Sequence, residues 1–362
     1  MSGRDLDGPG PSARVPVASV VLASSVMMTF PCRTPVGLDR LPTNPTLAAL
    51  RGLDADLRGR RRVGYARAVS VPFSTVEELQ EALGREHYLA DRGLSTAIYL
   101  AVSLNKPLLL EGEAGVGKTE VAKVLASLLG RELIRLQCYE GIDASQALYE
   151  WNYSKQLIAV RAIQDVTAEA HVQDLFGPEY LVERPLLAAI RAGSKAVLLV
   201  DELDRADDEF EAFLLEILSE FAVTIPEIGR VAAQEPPVVI VTSNRTRELH
   251  DALKRRCLYH WIDHPALERE IQIIRARAPE VPESLARDVA TAVNRLRGFD
   301  IAKRPGVAET IDWAHAAAFL GVEHLDEETA AATLGTVLKD HDDQELAVVR
   351  LAEVVADDEP AA

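Results

Sequence analysis

Residues 112–119 read Gly112-Glu113-Ala114-Gly115-Val116-Gly117-Lys118-Thr119, which fits the phosphate-binding pattern G-x-x-x-x-G-K-T. A short apolar run, Leu108–Leu110, precedes this stretch, and a helical pattern, Glu120–Leu129, follows it. In such a strand–loop–helix unit, the glycines let backbone N–H groups converge on phosphate oxygens at a helix N-terminus. We therefore expect the eight residues to bind nucleotide phosphates, with Lys118 reaching the β- and γ-phosphates and the Thr119 hydroxyl ligating Mg²⁺.

Two further buried-strand patterns end in polar side chains. The apolar run 196–200 is followed by Asp201 and Glu202, and the run 238–241 leads to Asn244. Open α/β sheets bind ligands at the carboxyl ends of their strands. We therefore expect Asp201 to hold Mg²⁺, Glu202 to polarise an attacking water, and Asn244 to bond the γ-phosphate or that water. A simple strand-terminating turn is the alternative for Asn244.

The order of the remaining patterns predicts the fold class. Further strands are expected at 133–136 and 258–262, and helical patterns alternate with the strands from a capping-box-like start at Ser74 onward. This alternation predicts an α/β fold with a doubly wound parallel sheet. Beyond Pro265 the patterns are all helical, which predicts a separate all-α domain. Its expected helices are 266–276, 282–296, 307–320, 326–338 and 343–355.

These patterns divide the chain into four parts. We expect a disordered or extended N-terminal arm at 1–70, a nucleotide-binding α/β domain at 71–265, a helical domain at 266–355, and an acidic tail at 356–362. The arm is interrupted by seven prolines between Pro9 and Pro45, at intervals too short for helices. Two alternatives concern its apolar part: a secretion signal, or an extension upstream of a natural start at Met27 or Met28.

Charge and cysteine usage exclude several classes of protein. The chain has 39 Lys and Arg against 56 Asp and Glu, a net charge of −17, and residues 323–362 alone carry two basic and twelve acidic side chains. Such an acidic chain repels phosphate backbones, so we expect no nucleic-acid partner. No apolar run is long enough to predict a membrane span. Three cysteines without a C-x-x-C pair indicate a reducing, cytoplasmic location.

The ordered motifs resemble those of the AAA+ ATPases. Within them, the segments GEAGVGKTEVAKVLA, LLVDELDRADDEFEAFLLEIL, VVIVTSNRTRELHDALKRRC and KRPGVAETIDWAHA look like the MoxR family. The likeness covers roughly residues 74–320 and is nearest to the branch associated with maturation of carbon monoxide dehydrogenase and related molybdenum hydroxylases. It implies an ATP- and Mg²⁺-dependent, chaperone-like protein with a helical lid. It also implies a homo-oligomeric ring (a hexamer), a metalloenzyme client, and a partner with a von Willebrand factor A domain.

The resemblance also assigns roles to matching residues. It gives the Walker A loop to 112–119, the Walker B acids to Asp201 and Glu202, and sensor 1 to Asn244. Together with the expectations above, this yields a candidate site for ATP and Mg²⁺.

Two arginines complete the resemblance. The family's arginine finger, which acts on a neighbouring subunit's nucleotide, falls on Arg256, with the adjacent Arg255 as the alternative. From the residues alone, such an arginine can stabilise phosphoryl-transfer charge, and a cation at a helix C-terminus is the alternative. The second sensor falls best on Arg304, with Lys303 as the alternative, although the usual serine-proline-arginine pattern is missing there.

Two segments read as insertions in the α/β domain. Phe221–Pro226 and Gly229–Val231 predict a β-hairpin before sensor 1. The long stretch 139–185 predicts a family insert whose aromatic side chains serve either packing or recognition. These aromatic side chains are Tyr149, Trp151 and Tyr153.

A different kind of site is indicated by four residues that lie close together in the sequence. His250, Cys257, His260 and His264 are residue types that ligate zinc or copper. Cys257 and His260 are three positions apart along an expected strand. Because side chains alternate between the two faces of a strand, these two side chains would point to opposite faces. The sequence therefore favours an ATP-hydrolysing, client-remodelling protein. A nucleotide-gated binding module with little turnover and a metal-delivery protein are the two alternatives.

Overall fold

A parallel sheet forms the centre of the structure, a computed structural model that describes residues 72–162 and 174–356. Its strands in these residues are β1 (Leu108–Gly112), β2 (Glu132–Gln137), β5 (Ala196–Asp201), β8 (Val238–Ser243) and β9 (Leu258–Ile262). They pair in the order β2-β5-β8-β1-β9, and every pairing is parallel. The carboxyl ends therefore meet at one edge, where Gln137 lies opposite Asp201 and Gly112 lies opposite Ile262.

Helices cover both faces of this sheet. The helices described in this part of the chain are α1 (Val76–Arg85), α2 (Arg92–Leu104), α3 (Lys118–Leu129), α4 (Ala144–Ala147), α5 (Tyr153–Ala162), α6 (Pro185–Ala192), α7 (Asp208–Glu220) and α8 (Asp251–Lys254), and those that cover the sheet include α1, α2, α3, α6 and α7. Successive strand side chains point to opposite faces, so Leu108 and Leu110 pack with α1, α2 and α3, whereas Leu109 packs on the other face with α6 and α7. Burial on both faces explains the apolar runs of the three inner strands β5, β8 and β1.

Both expected insertions are present. The hairpin consists of β6 (Ala222–Ile225) and β7 (Gly229–Ala232). In the longer insert, β3 (Tyr149–Trp151) pairs antiparallel with β4 (Leu181–Glu183). Its aromatic side chains are divided: Trp151 is buried and makes edge contacts with Tyr149 and Phe176, whereas Tyr153 is exposed. Packing therefore explains the aromatic side chains of Tyr149 and Trp151 but not that of Tyr153.

The C-terminal part is helical, as expected. Its helices are α9 (Leu267–Arg277), α10 (Glu283–Arg297), α11 (Val307–Phe319), α12 (Glu327–Val337), α13 (His341–Val349) and α14 (Leu351–Val355). They enclose an apolar core of their own around the fully buried Trp313, whose indole N–H donates to Thr333 Oγ1 at 2.7 Å. All described residues belong to a single compact unit, Gly64–Ala362. The α/β class with a following helical region is therefore confirmed, while the exact domain boundaries stay predictions.

Three local expectations were wrong. The N-cap of α1 is Thr75 rather than Ser74, because its hydroxyl accepts the Glu78 N–H at 3.1 Å. The expected helix 343–355 is two helices, since Arg350 at φ −110° leaves the helical region between them. The helix after the phosphate loop begins at Lys118, so Lys118 and Thr119 lie in its first turn.

Some expectations lie outside the described residues. These are the N-terminal arm 1–70 with its two alternatives, the acidic tail from 357 onward, and residues 163–173 of the insert. Among the helices of the described ranges, none is both long and apolar enough to span a membrane.

Candidate nucleotide-binding site

The loop 112–119 connects the end of β1 to the start of α3, as its sequence predicts. Gly115 (φ 79°) and Gly117 (φ 94°) adopt backbone conformations that other L-residues rarely reach. At Gly112 a Cβ atom would lie 2.3 Å from the carbonyl oxygen of Ile262 on β9. All three glycines are thus required by the geometry of the loop.

Lys118 is buried at the base of this loop. Its Nζ atom donates to the carbonyl oxygens of Gly112 at 2.8 Å and Glu113 at 2.6 Å. Burial lowers the pKa of Lys118 to about 8, although the carboxylates of Asp204 and Asp201 oppose this shift. An anion beside Nζ would favour the charged form of the lysine, which is what a phosphate-binding cation requires.

Asp201 lies at the end of β5 with its carboxylate almost fully buried. Its Oδ1 atom accepts hydrogen bonds from the hydroxyls of Thr119 at 3.0 Å and Thr242 at 2.6 Å. Its Oδ2 atom accepts from the Arg135 guanidinium, with Nε at 3.0 Å and a second nitrogen at 2.6 Å. The structure therefore brings Thr119 and Asp201 together and adds two partners, Arg135 and Thr242, that the sequence did not single out.

These side chains fit a magnesium ion. Mg²⁺ prefers oxygen ligands and is usually held by one or two carboxylates together with hydroxyl, water and phosphate oxygens. Thr119 Oγ1 and Asp201 Oδ1 are hard oxygen donors in contact with each other, beside the phosphate loop. Asp201, directly or through water, and Thr119 are the residues that would hold the ion.

Glu202 follows Asp201 in a left-handed conformation, with φ 55° and ψ 50°. Its backbone N–H donates to Thr242 Oγ1 at 2.9 Å, so one hydroxyl joins the two acids. Its Oε2 atom accepts hydrogen bonds from Gln137 and Arg205, both at 3.1 Å. A non-glycine residue held at positive φ stores about 1–3 kcal/mol and is typical of functional sites.

Asn244 lies just beyond the end of β8 and lines the same cleft as Asp201 and Glu202. Its backbone N–H donates to Asp204 Oδ1 at 3.1 Å, and the N–H of Thr246 donates to Asp204 Oδ2 at 2.9 Å. The buried Asp204 therefore fixes the loop that carries Asn244. Sequence reasoning missed this residue, although its place two positions after the paired acids was the available signal.

The loop and the acids open into a cleft of about 610 Å³. Its opposite walls come from the segment 87–89 before α2 and from α9 and α11 of the helical region. Two arginines of α9 attach the helical region to the α/β part: Arg269 donates to the carbonyl oxygen of Leu89 at 3.2 Å, and Arg277 pairs with Glu120 of α3 at 3.1 Å. The volume and the mixed polar and apolar lining are those of a small-molecule site.

Arg304 contacts the phosphate loop from the loop before α11. The guanidinium of Arg304 lies 3.2 Å from Glu113 Oε1 in the phosphate loop. Lys303 is exposed, and its backbone N–H donates to Asp343 in the helical region. Of the two alternatives for the second sensor, the structure brings only Arg304 to the phosphate loop.

Arg255 and Arg256 lie away from this site within the chain. Both are exposed and precede β9, whose first residue Leu258 pairs with Leu108 at the amino end of β1. The phosphate loop begins at the other end of these strands, roughly 13 Å away at about 3.3 Å per residue. Neither arginine is therefore part of the cleft of its own chain.

The histidine and cysteine residues are not arranged as a metal site. His264 pairs with Glu113 and His250 with Asp208, while Cys257 packs against the core on the face of the sheet that bears α7. Burial raises the pKa of Cys257 to about 12, so its thiol stays protonated at neutral pH. Within residues 72–162 and 174–356, no three or more His, Cys, Asp or Glu side chains are grouped to hold an ion.

Comparison with known proteins gives a match to one domain family and matches to individual proteins. Residues 107–257 match the model of the AAA domain (dynein-related subfamily). The chain is 25% identical over 287 residues to the uncharacterized protein YojN of Bacillus subtilis, covering 75% of this chain and 86% of that protein. It is 26% identical to a ClpA homolog protein of Fuscovulum blasticum over 74% of this chain, but spans only 33% of that longer protein.

A solved structure is also similar, at a lower level. The RuvB Holliday junction branch migration motor of Thermotoga maritima superposes with a TM-score of 0.41 and 16% identity, over 73% of this chain and 71% of that one. A superposition this loose carries no argument about function. The family model matches the part of the chain from just before β1 to just before β9. Residues 107–257 are therefore similar to the AAA domain of the dynein-related subfamily, a match that covers less than half of the chain.

Proposed function

We propose that this protein is a Mg²⁺-dependent ATPase that uses ATP hydrolysis to remodel a client protein. One observation carries the proposal: Lys118 and Thr119 in the phosphate loop lie beside Asp201, Glu202 and Asn244 in a single cleft. A structural turn between a strand and a helix would not need two acids, a lysine and a hydroxyl at the same place. This combination is what phosphoryl transfer to water requires.

Each side chain has a distinct task in this proposal. The N–H groups of the loop and Lys118 hold the phosphates, and Thr119 with Asp201 orients the metal, which when bound neutralises charge on the β- and γ-phosphate oxygens. Glu202 orients the attacking water and accepts its proton. Asn244 lies where its amide can bond the same water or the γ-phosphate, fixed in place through Asp204.

Steady-state ATPase measurements test this function. Lys118→Ala should abolish ATP binding without unfolding the protein, because it removes the buried cation of the loop. Glu202→Gln should bind ATP and lose turnover by orders of magnitude, since it keeps the size of the side chain but not its basicity. Wild-type turnover in Glu202→Gln would reject this assignment of the base.

A nucleotide-gated binding module with little turnover is the second candidate. It is favoured by the contacts of Glu202, whose carboxylate is engaged by Gln137 and Arg205 rather than free in the cleft. ATP binding without turnover in the wild-type protein, under any client or partner condition tested, would support this candidate. The metal-delivery alternative has no comparable support, given the separated histidines.

We further propose that the protein works as a homo-oligomeric ring, in which Arg256 acts on the nucleotide of a neighbouring subunit. The position of Arg256 supports this, because it is exposed and lies at the amino end of β9, away from the cleft of its own chain. The neighbouring Arg255 shares these properties and is the alternative. The number of subunits, six by family resemblance, is measurable by analytical ultracentrifugation with ATP bound to Glu202→Gln.

The client and partner proposals rest on the MoxR resemblance. They are a metalloenzyme of the molybdenum hydroxylase class and a protein with a von Willebrand factor A domain. Purification of Glu202→Gln from native cells with ATP, followed by mass spectrometry, should retain both, because this variant is expected to stall after ATP binding. The cytoplasmic location indicated by cysteine usage stays a prediction.

A further inference from the structure

The carboxylate of Glu113 is a meeting point of three parts of the structure. Glu113 itself belongs to the phosphate loop. Its Oε1 atom lies 3.2 Å from the guanidinium of Arg304, in the loop before α11. Its Oε2 atom lies 3.1 Å from Nε2 of His264, just after β9. The partners are 191 and 151 residues away along the chain, so this carboxylate joins the helical region and the edge strand to the phosphate loop.

The backbone makes a second, independent contact at the same place. The N–H of Val307 donates to the carbonyl oxygen of Gly115 at 2.9 Å. A Cβ atom on Gly306 would lie 2.6 Å from Gly115 Cα, and one on Gly115 would lie 2.8 Å from Gly306 Cα. Segment 304–307 therefore lies directly on the phosphate loop, with two glycines facing each other where no side chain fits.

Glu113 is an anion placed where other anions are expected to bind. The hydrogen bond from His264, and then the charges of His264 and Arg304, hold the pKa of Glu113 below its usual value. The carboxylate is thus ionised at neutral pH. Nucleotide phosphates in the neighbouring loop would carry the same sign of charge and would attract the same guanidinium.

The strength of the Arg304–Glu113 pair suits an exchange of partners. The Arg304 side chain is 52% exposed and that of Glu113 is 43% exposed. Ion pairs with this exposure are weak, because water screens the charges. A polyphosphate bound in the loop, with more charge and more oxygens, would therefore be a stronger partner for Arg304 than Glu113 is.

We propose that Glu113 is a positioning residue that keeps segment 304–307 on the phosphate loop until a nucleotide binds, and that the nucleotide phosphates then take Arg304 from it. The second half of this inference, the competition of the nucleotide for Arg304, rests on the proposed function. The first half, the contact of segment 304–307 with the phosphate loop in the nucleotide-free protein, does not depend on that function. In this arrangement Glu113 lowers the affinity for ATP while it orders the helical region for closure.

Hydrogen exchange tests the first half in the nucleotide-free protein. Glu113→Gln should accelerate exchange of the Val307 amide and its peptide, because the carboxylate no longer holds Arg304 over the loop. Glu77→Gln is the matched control, since Glu77 pairs with Arg92 at 3.3 Å on the α/β surface and neither residue lines the cleft. Unchanged exchange in Glu113→Gln, or equal acceleration in the control, would overturn the proposal.

A double-mutant cycle tests the competition. ATP dissociation constants are compared for the wild type, Glu113→Gln, Arg304→Gln and the double variant. Glu113→Gln should bind ATP roughly two- to fivefold more tightly when Arg304 is present, the range expected from a partly exposed ion pair. In the Arg304→Gln background the same change should have little effect, because no guanidinium is there to release.

The outcomes of the cycle separate this inference from the proposed function. A lesion that is merely structural would weaken ATP binding, and a general effect of removing one negative charge would be equal in both backgrounds. Either result overturns the exchange of Arg304 while leaving the ATPase proposal intact. Absence of ATP binding by the wild type itself would overturn the proposed function and the competition together, whereas the exchange experiment would still decide the nucleotide-free contact.

Discussion

Removal of the Thr242 hydroxyl is the most direct perturbation of the paired acids. This buried hydroxyl donates to Asp201 Oδ1 at 2.6 Å and accepts the Glu202 N–H at 2.9 Å, so it is bonded to both residues at once. Thr242→Val keeps the shape of the side chain and removes only these two bonds. The change therefore tests whether the carboxyl end of β8 holds the acids in place.

The expected cost follows from the two bonds. A buried N–H left without an acceptor costs about 1–3 kcal/mol, and Asp201 would still keep Thr119 and Arg135 as partners. We therefore expect the free energy of unfolding to fall by about 2 kcal/mol. Because Glu202 is held at φ 55° against a strain of about 1–3 kcal/mol, its release should lower kcat by about tenfold or more.

Urea denaturation and steady-state ATPase assays measure the two effects. Thr333→Val is the matched control, since Thr333 is also buried and accepts the indole N–H of Trp313, but in the helical region. The control should lose comparable stability and keep kcat within about twofold. The reasoning is refuted if Thr242→Val hydrolyses ATP at the wild-type rate, or if the control loses activity to the same extent.

Three other perturbations have expected outcomes that follow from the described contacts. Between pH 7 and pH 9, ATP affinity measured by titration calorimetry should fall about tenfold, because the nucleotide-free Lys118 with a pKa of about 8 must take up a proton to bind phosphate; constant affinity would contradict this. Gly306→Ala should weaken ATP binding, because the added methyl group displaces the helical region from the phosphate loop. Its control is Gly335→Ala, inside a helix with only an ordinary contact at 3.8 Å, which should raise the melting temperature slightly and leave ATP binding unchanged. Equal ATP binding by both variants would show that the close contact between Gly306 and Gly115 is unimportant. Mixing Arg256→Ala chains with Glu202→Gln chains should restore part of the ATPase activity, as expected if a ring then contains some intact composite sites; no restoration would favour a self-sufficient subunit.

The sequence alone identified the phosphate loop and the strands around it. Loop 112–119 is encoded locally, because its glycines, lysine and threonine act through neighbouring backbone and need no distant partner to be recognised. The apolar runs of β1, β5 and β8 were also visible, since strands buried on both faces are uniformly apolar. Their polar ends indicated Asp201, Glu202 and Asn244 for the same reason: parallel strands all end at one edge of the sheet.

Local details at helix ends were less predictable. Ser74 and Thr75 offer nearly equal capping patterns, and only the hydrogen bond to Glu78 distinguished them. The break at Arg350 likewise had no proline or glycine to mark it. In both cases, alternatives within about 1 kcal/mol are decided by surrounding contacts rather than by intrinsic preference.

The tertiary structure alone decided how these elements make one site. The sheet order places β8 beside β5, and this brings the Thr242 hydroxyl between the two acids. It also places Arg135 of β2 against Asp201. Arg304 and Lys303 are adjacent cations with similar patterns, and only the folding of the helical region onto the phosphate loop puts Arg304 against Glu113. Contacts between residues far apart in sequence depend on the packing of whole elements, and a local pattern of residues carries no information about that packing.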